Sequence, residues 1–194
     1  MKKWNVGIIG CTGMVGQRFA SLLENHPWFH VSVIAASPRS AGKTYEEAVG
    51  NRWVMETPMP ESMKNLMVQD ASKVEKVASQ ADFVFCAVDM PKDDIRALEE
   101  AYARAECPVI SNNSAHRTTP DVPMIIPELN YDHVNIIPYQ RDRLGTKKGF
   151  IAVKSNCSLQ SYVPALYPLS KWGVNKALVC TYQAISGAGK TFES

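Results

Sequence analysis

No apolar run in this sequence is long enough to span a bilayer or to form the core of a secretion signal. The earliest one, Val6 to Ile9 behind Lys2 and Lys3, stops at Gly10. A cytoplasmic protein without membrane contacts is therefore expected. Concentrated positive charge is missing as well: 21 Lys and Arg stand against 19 Asp and Glu, a net charge of +2. A chain that neutralises many phosphates carries a basic block, so no nucleic-acid partner is expected. The short basic run over 141–148 reads as a solvated loop. Cysteine is sparse and irregularly spaced, at 11, 86, 107, 157 and 180, with no C-x-x-C pair. That excludes a disulfide framework and a zinc site, so reduced thiols and no metal are expected. Internal repeats and low-complexity segments are absent.

What is present suits a packed α/β domain. With 194 residues, 45% of them apolar, the chain can bury a sizeable core. Val- and Ile-rich strands are expected over 3–9, 31–35, 83–88 and 109–111, with helices over 14–24, 71–79 and 92–104 between them. Residues 39–70 read as loop-rich. Such alternation points to a Rossmann-like doubly wound parallel sheet over residues 1–153, closed by a strand at 150–153. Residues 154–194 read as the start of a truncated α+β catalytic and dimerisation domain, with a helical stretch reaching 172 and a long strand over 176–185.

Two motifs carry chemistry. The first, Gly10, Cys11, Thr12, Gly13, Met14, Val15 and Gly16, joins a strand to a helix. Glycines there let the backbone approach a pyrophosphate at the positive end of the helix, and the last one allows close helix packing. The spacing departs from G-x-G-x-x-G, so the strand and helix on either side carry the reading. After the second strand, NAD-binding versions place an acidic residue on the ribose hydroxyls. This sequence has Ser37, Pro38, Arg39 and Ser40, followed by Lys43. Hydroxyls and a guanidinium suit a 2′-phosphate, which makes NADP the expected cofactor.

The second motif is Ser155, Asn156, Cys157 and Ser158, at the expected start of a helix. A helix N-terminus favours a thiolate, and Cys157 is therefore the nucleophile candidate. Cys86 and Cys180 read as core thiols within apolar strands, Cys11 as a lining of the glycine loop, and Cys107 as inert. His116 reads as a loop residue beside Arg117. A phosphate loop over 186–191 is rejected, because Ala184 occupies the place of its first glycine.

The chain resembles the aspartate-semialdehyde dehydrogenases of the archaeal and fungal branch. The likeness runs through the glycine loop over 10–19, His26 and Pro27, the segment 35–43, Asn113 to Arg117, 120–123, 127–130, Ser155 to Cys157 and 183–189. It implies that Cys157 attacks the acyl phosphate of L-aspartyl 4-phosphate, and that hydride from NADPH reduces the resulting thioester to the semialdehyde. The product feeds lysine, threonine, methionine and isoleucine synthesis. The resemblance further implies that Arg117 holds the phosphate, that Asn156 and Gln183 orient the substrate, and that Ser186 and Gly187 lie by the nicotinamide. A homo-oligomer, dimer or tetramer, is implied for the whole enzyme. The general-base histidine is expected beyond residue 194, so the chain reads as an N-terminal fragment with an incomplete catalytic domain. Leu159 departs from the small or hydroxyl residue common in the family. The alternatives are a malonyl-coenzyme A reductase or an acyl-phosphate reductase of arginine synthesis, both from the same superfamily, and a nucleotide-binding module without catalysis.

Overall fold

A computed structural model describes residues 2–183. Its strands are β1 (Trp4–Ile9), β2 (Phe29–Ala36), β3 (Val68–Asp70), β4 (Phe83–Cys86), β5 (Val109–Ser111), β6 (Met124–Ile125) and β7 (Ile151–Lys154). The helices are α1 (Met14–Leu23), α2 (Tyr45–Val49), α3 (Glu61–Lys64), α4 (Val74–Ala78), α5 (Lys92–Arg104), α6 (Pro127–Asn130), α7 (Ile137–Leu144) and α8 (Cys157–Leu166). All the strands form one sheet in the order β3-β2-β1-β4-β5-β7-β6, and every pairing is parallel. The chain moves outward from β1 through β2 to β3, then crosses back to build the other half from β4. This reversal opens a crevice at the carboxyl ends of β1 and β4.

Both faces of the sheet are covered. One core packs Ile9, Val33, Val84, Val109 and Ile151 against Val77, Tyr102 and Leu144 of α4, α5 and α7. The other packs Val6, Ile8, Ile34 and Val68 against Ala20, Leu23, Tyr45 and Met63 of α1, α2 and α3. Strand parity should put Val31 and Val33 on one face. A register shift between Val6 and Gly7 separates them, sending Val31 to one core and Val33 to the other. Ser32, the residue skipped at the irregularity, donates its hydroxyl to the Gln80 carbonyl at 2.7 Å.

Three expectations are corrected. No strand forms over 176–183, where the backbone is irregular and every residue is exposed. A strand needs a neighbour for its backbone groups, and none of the described strands pairs there; residues 184 and 185 lie outside the described residues. Cys180 is consequently exposed rather than buried. The basic run at 141–148 is not simply solvated, because its first half completes α7. Within it, Arg143 donates to both oxygens of Asp121 and to Glu100, while Arg141 lies over the Phe150 ring at 5.5 Å.

Candidate active site

The crevice at the switch point is a cleft of about 980 Å³. Gly10, Thr12, Gly13, Ser37, Arg39 and Ser40 all line it. Met14, Val15 and Gly16 do not, although they continue from the same loop into α1. The glycines divide the work. Gly10 has a φ of +88°, and a β-carbon there would lie 2.5 Å from the Ala87 carbonyl oxygen. At Gly16 it would lie 2.2 Å from the carbonyl oxygen of Gly10, so this glycine lets α1 pack against the loop. Gly13 has an ordinary φ of −77° and open space around it, with only the Gly10 oxygen nearby at 3.6 Å. Neither backbone strain nor packing demands glycine there; its missing side chain leaves the cleft open at the uncapped N-terminus of α1.

Side chains that the sequence reading gave no role hold this loop in place. Gln17 is buried, donates to the carbonyls of Thr12 and Arg52 at 3.1 and 2.9 Å, and accepts from the Val54 N–H at 2.9 Å. Tyr45 donates its hydroxyl to the Cys11 carbonyl at 2.9 Å. On the far wall a turn closed by Ser40 N–H to Ser37 O presents the exposed Arg39. Lys43 and Arg52 also line the cleft, as do Asp70, Asp89 and Asp94. Asp70 accepts from the Ser72 N–H and hydroxyl at 2.9 and 2.8 Å, bonds that hold its carboxyl below the usual range. Strand ends flag such positions, but β3 was hidden within the stretch read as loop.

Cys157 is exposed and is the first residue of α8, directly beyond β7. Since the strands run parallel, it occupies the same sheet edge as the cleft, three strand spacings from β1 or about 14 Å. It is not part of the cleft lining. Asn156 caps α8, its side-chain oxygen accepting from the Ser158 N–H at 2.9 Å. Gln183 reaches the same turn, donating to the Ser158 hydroxyl at 2.8 Å. Half-buried Arg117 donates through Nε to the Lys154 carbonyl at 3.1 Å, which ties it to the end of β7. Burial and the Arg117 charge push the Lys154 ammonium below its ordinary value, and Cys157 acts in the opposite direction. Arg117, Asn156, Cys157 and Gln183 therefore gather around one turn. Ser186 and Gly187 lie outside the described residues.

Three of the other thiols are shielded. Burial pushes Cys11 up to about 12 and Cys107 up to about 11, and it raises Cys86 well above its ordinary value. His116 lies in a turn beside Arg117, as expected, and its ring is buried there against Glu99. Among the described residues no group of three or more His, Cys, Asp or Glu could hold a metal ion, and no helix is long and apolar enough to cross a membrane.

Residues 5–137 match the family model for the semialdehyde dehydrogenase NAD binding domain. The chain belongs to this family. Among sequences, it is 41% identical over 189 residues to the aspartate-semialdehyde dehydrogenase of Aspergillus fumigatus, covering 96% of this chain and 50% of that protein. With the enzyme of the same name from Archaeoglobus fulgidus it shares 39% identity, over 96% of this chain and 52% of the relative. Among solved structures, the Candida albicans aspartate-semialdehyde dehydrogenase with NADP aligns at a TM-score of 0.77 and 35% identity, over 88% of this chain and 48% of that one. The chain thus spans about half the length of the relatives it matches, and carries the nicotinamide-dinucleotide-binding fold of the aspartate-semialdehyde dehydrogenase family.

Proposed function

We propose that the whole protein is an NADP-dependent, phosphorylating aspartate-semialdehyde dehydrogenase acting in the cytoplasm as a homo-oligomer. It would turn L-aspartyl 4-phosphate into L-aspartate 4-semialdehyde for the synthesis of lysine, threonine, methionine and isoleucine. The observation that carries the reading is an exposed cysteine at a helix start, on the sheet edge that also holds the dinucleotide cleft. On this reading residues 1–153 form the NADP-binding domain and 154–194 begin the catalytic one.

The residues fit the cofactor: the open Gly13 admits a pyrophosphate at α1, while Ser37, Arg39 and Ser40 suit a 2′-phosphate. Cys157 attacks the acyl carbon, a C–S bond forms, and the C–O bond to phosphate breaks. Arg117 receives the departing phosphate through its outer guanidinium nitrogens. Asn156 and Gln183 orient the aspartyl part of the substrate. When bound, NADPH would supply the hydride that reduces the thioester, and Ser186 and Gly187 are the residues proposed to hold its nicotinamide. The Cys157 sulfur then departs as the aldehyde forms. The general base would be a histidine in the part of the protein that this chain does not cover.

The test is turnover by the whole protein with L-aspartyl 4-phosphate and NADPH. Wild-type protein should consume both in equal amounts and release phosphate, and Cys157→Ser should abolish turnover while leaving NADP binding intact. Reduction of malonyl-coenzyme A in place of the acyl phosphate would overturn the substrate assignment. Retained turnover in Cys157→Ser would overturn the mechanism.

A further inference from the structure

The loop that carries Arg117 is fastened to α5 by buried polar groups. Glu99 sits on the sheet-facing side of α5 and is 1% exposed. Its Oε1 accepts from the Ser111 hydroxyl at 2.5 Å and from the Asn113 side-chain amide at 3.0 Å. Its Oε2 has no hydrogen-bond partner and faces Nε2 of His116 at 3.9 Å, an atom that also lacks one. The opposite ring nitrogen, Nδ1, lies 3.1 Å from the Thr119 hydroxyl. Three residues before Glu99 on the same helix, Arg96 donates to the Ala115 carbonyl at 2.9 Å. One helix thus grips residues 111–119 along their length.

Core filling alone does not account for this arrangement. Apolar residues of similar volume often stabilise a fold as well as a buried ionisable pair does. Burial pushes His116 below the ordinary imidazole value, against the opposing influence of Glu99. What the gripped segment presents is Arg117, the residue next to His116. Its backbone N–H donates to Ser114 O at 3.3 Å and its Nε to Lys154 O at 3.1 Å. The guanidinium is thus held along its Nε edge, and the hydrogen bonds among the described residues leave its outer nitrogens free for an anion.

We propose that Glu99 and His116 are positioning residues: their buried pairing locks the turn over 114–119, so that Arg117 presents its outer nitrogens to a phosphate group beside Cys157. The inference rests on the phosphate role proposed above for Arg117. In this arrangement Thr119 donates its hydroxyl to Nδ1, and the His116 Nε2–H points at the Glu99 carboxylate. The Ser111 hydroxyl accepts from the Asn113 N–H at 3.0 Å while donating to Glu99. The lock therefore extends from the last residue of β5 to the turn.

The experiment follows alkylation of Cys157 by iodoacetamide in rising inorganic phosphate, with peptide mass mapping. Phosphate should slow labelling in the wild-type protein. In Glu99→Leu the phosphate needed for half-protection should rise about fivefold or more, while the labelling rate without phosphate and the affinity for NADP change less than about twofold. Glu99→Gln can hydrogen-bond the other His116 tautomer and should restore most of the protection. Thr119→Val releases the ring without touching the core, and should give a smaller loss in the same direction; should Glu99→Leu fail to fold, this variant decides. Wild-type protection that persists unchanged in the folded variants would overturn the positioning role alone. Failure of phosphate to protect the wild-type protein would overturn the phosphate role of Arg117, and the inference with it.

Discussion

Two helices begin at the same edge of the sheet, and their first residues differ in a telling way. The start of α1 has a glycine cap without a side chain, no capping hydrogen bond, and a cleft in front of it. The start of α8 is closed by the Asn156 side chain, which accepts from Ser158, and an exposed cysteine follows immediately. Each is a strand, a turn and a helix. An open terminus has N–H groups to offer a ligand, whereas a capped one has already used a donor and presents a side chain instead. The same supersecondary unit thus gives an open end, here proposed for binding, or a capped end that presents a side chain, here proposed as reactive, according to the residue at the cap.

The contrast can be broken most sharply through the thiols. Under limiting iodoacetamide Cys157 should be modified far ahead of Cys11, Cys86 and Cys107, by orders of magnitude in rate, since burial both hides those three and disfavours their thiolates. Mass mapping that finds any of the three modified first would remove Cys157 from the reactive end. Exposed Cys180 serves as an internal reference for simple accessibility.

Next come the glycines of the binding end. Gly16→Ala forces a β-carbon onto the Gly10 carbonyl and should cost roughly 1–3 kcal/mol or more of stability. Gly13→Ala should change stability by less than about 1 kcal/mol, yet weaken dinucleotide binding, because its methyl group enters open cleft space. Denaturant titrations and binding isotherms on the two variants should therefore rank them in opposite orders. An identical ranking would deny that Gly13 is kept open for a ligand.

On the far wall of the same cleft, Arg39→Ala removes a charge-assisted hydrogen bond worth roughly 1.5–3 kcal/mol to a 2′-phosphate. Affinity for NADP should fall more than tenfold on that scale, with NAD little affected. Equal losses for both cofactors in a binding titration would place Arg39 elsewhere in the interaction. The smallest effect is expected at the reactive end: Asn156→Ala deletes the α8 cap and should cost about 1 kcal/mol, seen as a modest drop in melting temperature. If melting is unchanged, the cap does not hold this helix in place.

Much of this was readable from residue order, because strand and glycine signals are local. β1, β4 and β5 are short apolar runs, and the loop between β1 and α1 announces itself through Gly10, Gly13 and Gly16. β3 and β6 were not legible: three and two residues long, they are strands only because β2 and β7 lend them partners. The stretch 176–183 illustrates the converse, with apolar residues of good strand propensity but no pairing neighbour among the described residues. Residue type and a place shortly after a strand single out Arg39, which lines the cleft, and Cys157, which is exposed at the start of α8. Glu99 and Gln17 escaped notice because nothing in a helical run reveals that a polar side chain turns inward. The burial of His116 within its turn was not legible for the same reason, being imposed by α5 from more than ten residues away.

The order of elements along the chain also has a consequence for synthesis. Every residue lining the cleft lies between Gly10 and Ala101, whereas Cys157 follows the strand that β5 and β6 flank. Because chains emerge N-terminus first and fold as their parts become available, the ribosome has made all the cleft walls before it reaches the cysteine. A nascent chain therefore carries every residue of the cleft lining while the proposed nucleophile is still untranslated, and Cys157 joins a chain that already holds the groups proposed for a dinucleotide.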